Sequence, residues 1–171
     1  MGPLSEACQE RVRALFASRE CAEAERLLET ECAANLPLMS NETSSWLDRI
    51  RFAAVRFSGG RLSSLQEAVR LAQTDWRDLL VAAGFADDVN AHQKWQPRPL
   101  SPETLNLWIQ GQRPTGVDFL LDDPVQITAS SPDAGAGAIV SLLALEPEPQ
   151  YLVELGPGLE VEVYQRWLKR S

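Results

Sequence analysis

His92 is the only histidine in this 171-residue chain, so any catalytic triad or imidazole proton relay must use it. No GxSxG turn or comparable nucleophile elbow accompanies it. Its position beside Trp95, late in a helical stretch, reads as a partly exposed structural group. Carboxylates occur in two adjacent pairs, Asp87-Asp88 and Asp122-Asp123. Acid–base catalysis needs two carboxyls whose surroundings drive their pKa values apart. Helix capping by the first pair and loop solvation by the second ask for less. Cys8, Cys21 and Cys32 lie 13 and 11 residues apart, form no CxxC pattern and have one histidine to join them. They read as buried thiols in a reducing compartment. The glycine stretches "SGG" and "GAG" are too short to cradle a phosphate, and no Walker A, dinucleotide, EF-hand or zinc pattern is present. The expectation is a non-catalytic protein with no cofactor and no metal.

Charge narrows the partners. The chain carries 16 basic and 24 acidic side chains, a net charge of −8. Residues 1–96 contribute −3 and residues 97–171 contribute −5. Between Arg113 and Arg166 there is no Lys or Arg, while nine carboxylates fall in that window. Such a surface repels phosphate and predicts no nucleic-acid partner. Arg49, Arg51, Arg56, Arg61 and Arg70 form a local basic region whose scattered helical angles suggest a solvated face with local ion pairs. No apolar run approaches the roughly 20 residues of a membrane span. The N-terminus lacks the apolar core of a secretion signal. Both points predict a cytoplasmic protein that does not bind membranes.

Two kinds of element must position these groups. Up to about Trp95 the apolar period is helical. "SEACQERVRALF" and "ECAEAERLLETECA" each suit a helix, the second ending before Pro37. Thr43 or Ser44 can cap a third helix with Trp46, Leu47, Ile50, Ala53, Ala54 and Phe57 on one stripe, stopped by Gly59-Gly60. "SLQE" at 64–67 reads as a capping box. Thr74 reads as the cap of a further helix ended by Gly84, with Phe85 folding back. Each is too short to stand alone, so residues 1–96 are expected to form a bundle. Residues 97–115 read as a linker with a short helix capped by Ser101 and opened by Pro102, with Leu105, Trp108 and Ile109 facing one way.

After Gly116 the period becomes two. Val125 and Ile127 mark one strand, "GAIVSLLAL" a more buried one, and "QYLVEL" and "LEVEVY" a pair joined by the turn "GPG". "QRW" suits one helical turn before a last short strand around Leu168. The order "DPVQI…GAGAIVSLL…PQYLVELGPGLEVEVYQRWL" resembles the SH3-like small barrels of the KOW/Tudor type. That resemblance covers residues 116–171 and implies a closed barrel, which leaves no exposed sheet edge. KOW-type RNA binders carry basic residues where they meet phosphate, and this window has none. Tudor-type readers need an aromatic cage, for which Phe119, Tyr151, Tyr164 and Trp167 are the available rings. The stretch from Asp48 to His92 resembles a family of short bacterial helical proteins of unassigned role, which implies no activity.

The expected architecture is therefore α+β: an N-terminal bundle of short α-helices (1–96), a linker (97–115) and a C-terminal SH3-like small β-barrel (116–171). The expected function is a protein–protein interaction module or adaptor whose partner has a basic surface. Its candidate acidic surface is Asp122, Asp123, Glu146 and Glu148 on connections, with Glu160 and Glu162 on the outer face of a strand. The alternative is an immunity or antitoxin-like protein that neutralises a basic enzyme such as a nuclease. An enzyme or nucleic-acid binder of unrecognised type is the third reading.

Overall fold

A chain whose apolar period changes part-way must bury two kinds of surface, a set of helical stripes and a sheet face. In the computed structural model, which describes residues 3–34, 36, 44–128, 131 and 133–171, it does so in two units, Met1–Pro99 and Leu100–Ser171. Helices come first and strands follow, an α+β order. Among the described residues no helix is long and apolar enough to cross a membrane.

The first unit holds α1 (Glu6–Leu15), α2 (Cys21–Ala34), α3 (Ser44–Ser58), α4 (Leu62–Ala82) and α5 (Ala91–Lys94). Ser5 caps α1, its hydroxyl accepting from the Cys8 amide. The caps expected at Thr43 and the break at Pro37 lie outside the described residues. Two expected helix starts move. α4 begins at Leu62, so Ser64 sits buried inside its first turns instead of opening a capping box. Asp75, not Thr74, starts the second half of α4. It leaves helical geometry at φ −151° and ψ 101°, and its Oδ1 accepts from the Arg77 amide at 2.9 Å. Thr74 Oγ1 donates back to the Arg70 carbonyl. The break brings Trp76 edge-on to Trp46, with ring centroids 4.4 Å apart.

The stripe expected of α3 is buried at Ile50, Ala53, Ala54 and Phe57, but burial extends beyond it. Arg49 to Val55 are all buried, because α1, α2, α4 and α5 surround this helix. Hence the arginines expected on a solvated face are partly core residues: Arg49 is 8% exposed and Arg51 2%. A buried guanidinium needs acceptors. Arg51 donates to the Pro3 carbonyl at 3.1 Å, and Arg49 donates through Nη2 to the carbonyls of Phe85 and Ala86. Those carbonyls follow the Gly84 turn (φ 67°) that ends α4. Arg56 spans the rings of Phe85 and Trp95 at 5.1 and 6.0 Å. Cys8 and Cys32 are wholly buried, and burial pushes both thiols up to about 12, out of the reactive range.

His92 is buried too, at 5% exposure, with Phe52 and Phe85 edge-on to it at 5.4 and 6.4 Å. The partly exposed position expected for it is therefore corrected; the short α5 folds its ring inward. Burial lowers its pKa from 6.5, the Arg49 charge lowers it further, and the Val89 backbone, Asp48 and Asp88 oppose the shift. The unfolded chain then binds this proton more readily than the folded one, so stability rises with pH across the window. Stability linked to His92 is complete above pH 6.5 and is lost as pH falls through that value toward the lower folded pKa. We expect the urea midpoint of the helical unit to drop between pH 7.5 and 5.5, and His92→Phe to flatten that drop. Parallel behaviour of the two proteins would contradict this assignment.

The second unit holds α6 (Pro102–Ile109) and five strands: β1 (Pro124–Ile127), β2 (Gly135–Ala144), β3 (Gln150–Gly156), β4 (Leu159–Tyr164) and β5 (Leu168–Arg170). Ser101 caps α6, its hydroxyl accepting from Thr104 N at 3.1 Å, with Pro102 in the first turn. Trp108 is 1% exposed and donates from Nε1 to the Phe119 carbonyl at 2.9 Å, so α6 is part of this unit's core. Ile109, expected on the same face, is exposed. The strands form one antiparallel sheet of order β4-β3-β2-β1-β5, with a 3₁₀ turn at Gln165–Trp167 before β5. Val125, Ile127, Ile139, Tyr151 and Val153, all at 0% exposure, make its buried face.

Gln165 locks the turn. Its Oε1 accepts from the Tyr151 hydroxyl (2.7 Å) and the Asp118 amide (2.9 Å), and its Nε2 donates to the Gly116 carbonyl (3.1 Å). Close packing between strands falls on Gly137, opposite Val125, where a Cβ would strike the Glu154 carbonyl and come within 2.9 Å of Val153 Cγ1. Gly156 has open space around it. We expect Gly137→Ala to destabilise the sheet unit by roughly 1–3 kcal/mol through overpacking, and Gly156→Ala to be nearly neutral. Equal unfolding midpoints for the two variants would overturn this account.

Candidate functional site: the acidic outer face of the sheet

Strand alternation separates the carboxylates of the second unit into two classes. On β3 and β4 the side chains of Tyr151, Val153 and Val163 go to the core, so those of Leu152, Glu154, Glu160 and Glu162 go to the other face. The β3–β4 hairpin turns through Pro157 and Gly158 (φ 75°). Its register shifts between Glu154 and Gly156, which leaves Leu155 unpaired and sets Glu154 directly opposite Glu160. Two like charges face each other across one strand pair, an arrangement that destabilises a sheet. Both are exposed. Glu162 lies opposite Leu152 and accepts from Gln150 Nε2 at 3.3 Å.

The other residues of the expected surface divide differently. Asp122 is exposed and adopts the left-handed conformation, φ 64°. Its amide donates to the Ile139 carbonyl, and the Asp123 carbonyl accepts from Ile139 N, so this acidic pair forms the turn into β1. Asp123 Oδ2 accepts from Leu120 N at 2.9 Å and lies 4.0 Å from Arg170. Glu148 is paired with Arg166, at 3.0 Å from its Nε and 3.2 Å from its amide. Glu146 is a correction: it is 3% exposed and cannot belong to a surface. The connection after β2 folds inward, burying Leu145, Glu146 and Pro149 together. Glu160 and Glu162 are thus the two expected site residues that the sheet brings together. Glu154 completes the face. Its alternation in "YLVELG" put it on the outer side, but only the unpaired Leu155 aligns it with Glu160.

The rings available for a cage are otherwise engaged. Phe119 and Tyr151 meet edge-on at 5.8 Å in the core, and burial pushes the Tyr151 hydroxyl up to about 12. Tyr164 and Trp167 are both covered by Arg166, at 5.3 and 5.7 Å. Among the described residues no group of three or more His, Cys, Asp or Glu could hold a metal ion.

No protein-family model, no curated protein and no solved structure matches this chain.

Charge relief at the Glu154–Glu160 pair is directly measurable. Glu160→Gln should raise the stability of the sheet unit by roughly 0.2–1 kcal/mol, with the gain shrinking as added salt screens the pair. A loss of stability at low salt would mean that Glu160 has a stabilising contact instead.

Proposed function

We propose that this protein is a non-catalytic interaction module and that its second unit, an SH3-like small barrel, receives a basic segment of another protein on the outer face of β3 and β4. The single supporting observation is the unrelieved like-charge pair Glu154–Glu160, extended by Glu162 along a strand at the end of the sheet order. No Lys or Arg occurs on β3 or β4 to neutralise it. A cationic partner converts this repulsion into attraction and faster encounter. The barrel reading draws on the return of β5 to β1 and on the 3₁₀ turn before β5.

The test is a panel of extended peptides, Lys/Arg-rich, neutral and Glu-rich, added to the full isotope-labelled chain. Basic peptides should shift the amide signals of 150–164 saturably, with affinity falling as salt rises. The combined variant E154K/E160K/E162K should abolish those shifts while leaving the fold intact. Binding that maps elsewhere, or that survives the charge reversal, would refute the proposal.

A further inference from the structure

The helical unit carries a cleft of about 350 Å³ between α3 and the segment leading through α5. Its walls include Trp46 and Arg49 on one side and Val89, Asn90 and His92 on the other. That size lies within the range of small-molecule sites, which combine an apolar lining with a few convergent polar groups.

Arg49 is the central feature. Its guanidinium is buried, yet among the described residues it pairs with no carboxylate. Nη2 is engaged by the Phe85 and Ala86 carbonyls, while Nε is buried with no acceptor. Asp88, near enough for its charge to interact with Arg49, is itself held by Lys94 Nζ at 3.1 Å and by the Asn90 amide at 2.8 Å. A desolvated cation met by carbonyl dipoles and the Trp46 ring, with no carboxylate in contact, is an arrangement that an anion would relieve. His92 also lines this space: it is 5% exposed, and its ring interacts with the Val89 backbone. Apolar surface completes the site, with the Trp46 ring 5.2 Å from the Arg49 guanidinium and Val89 64% exposed at the rim.

We propose that this cleft binds a small monocarboxylic acid with an aromatic or branched apolar body, its carboxylate on Arg49 and its body between Trp46 and Val89. A monoanion suits the field better than a phosphate dianion. The chain is strongly acidic overall, and both Asp48 and Asp88 act on His92 in the cleft wall. A smaller cleft of about 240 Å³ shares His92 but is lined by both Arg11 and Asp48, so it offers an anion no net attraction.

The experiment is a titration of the full isotope-labelled chain with phenylacetate, in parallel with phenylacetamide and inorganic phosphate. Phenylacetate should shift the Trp46 indole, Asn90 and His92 signals saturably, with a dissociation constant on the order of 1 mM. The neutral amide and phosphate should bind at least about ten-fold more weakly. Arg49 also holds the carbonyls that follow α4, so its replacement could unfold the unit. Val89→Asp avoids this by adding a repelling carboxylate at the exposed rim, and it should weaken phenylacetate about ten-fold. Equal affinity for the amide, preference for phosphate, shifts unchanged in Val89→Asp, or no saturable shift at about 20 mM would each overturn the assignment.

Discussion

A guanidinium taken out of water must find acceptors, and α3 carries two, Arg49 and Arg51, within a segment buried on every side. The helical unit meets that demand in large part, though Arg49 Nε is left without an acceptor. Arg51 reaches the Pro3 carbonyl and so fastens the start of the chain beside the central helix. Arg49 reaches Phe85 and Ala86 and fastens the exit of α4. Arg56 lies over Phe85 and Trp95, so the aromatic end of the unit is packed partly by arginine stems. The helices among the described residues of this unit share one apolar core, and these cationic contacts join further segments to it.

The sheet unit meets a related demand with neutral groups. Gln165, in the 3₁₀ turn, satisfies the Tyr151 hydroxyl, the Asp118 amide and the Gly116 carbonyl together. Trp108 contributes its ring to the core and its indole N–H to Phe119. These bonds connect the segment before β1, strand β3 and the turn before β5, so the small sheet is tied at both ends of its sequence. The Glu154–Glu160 pair, by contrast, sets two like charges opposite each other. It occupies a solvent-facing position, where repulsion is screened and a partner can reach it.

Much of this was legible in the sequence, though unevenly. Ser101 with Pro102, Gly84 with Phe85, and the turn at residues 156–158 were readable because caps and tight turns depend on few neighbouring residues. Four or five strands, and a helical turn before the last, were readable from alternation, apolar runs and turn residues. The misplaced starts at Ser64 and Thr74 have a common origin: several residues within a few positions could cap, and the surrounding packing selected among them. The stripe read in α3 is buried as expected but is not the whole buried surface, because periodicity identifies one buried face and cannot show that the opposite face is covered by other helices.

The sequence by itself determined the order of helices and strands, the acidic character of the second half and the outward placement of Glu160 and Glu162. These follow from local sterics, from side-chain alternation and from charge counting, none of which needs a partner in space. Tertiary structure alone decided that Glu146 is buried while Glu160 is not, that Leu155 drops out of register so Glu154 meets Glu160, and that Arg49, Trp46 and His92 share one cleft. Burial and convergence depend on which distant segment covers a residue. Side chains 36 and 43 positions apart along the chain, such as Arg49 with Phe85 and with His92, carry no local signal that they will meet.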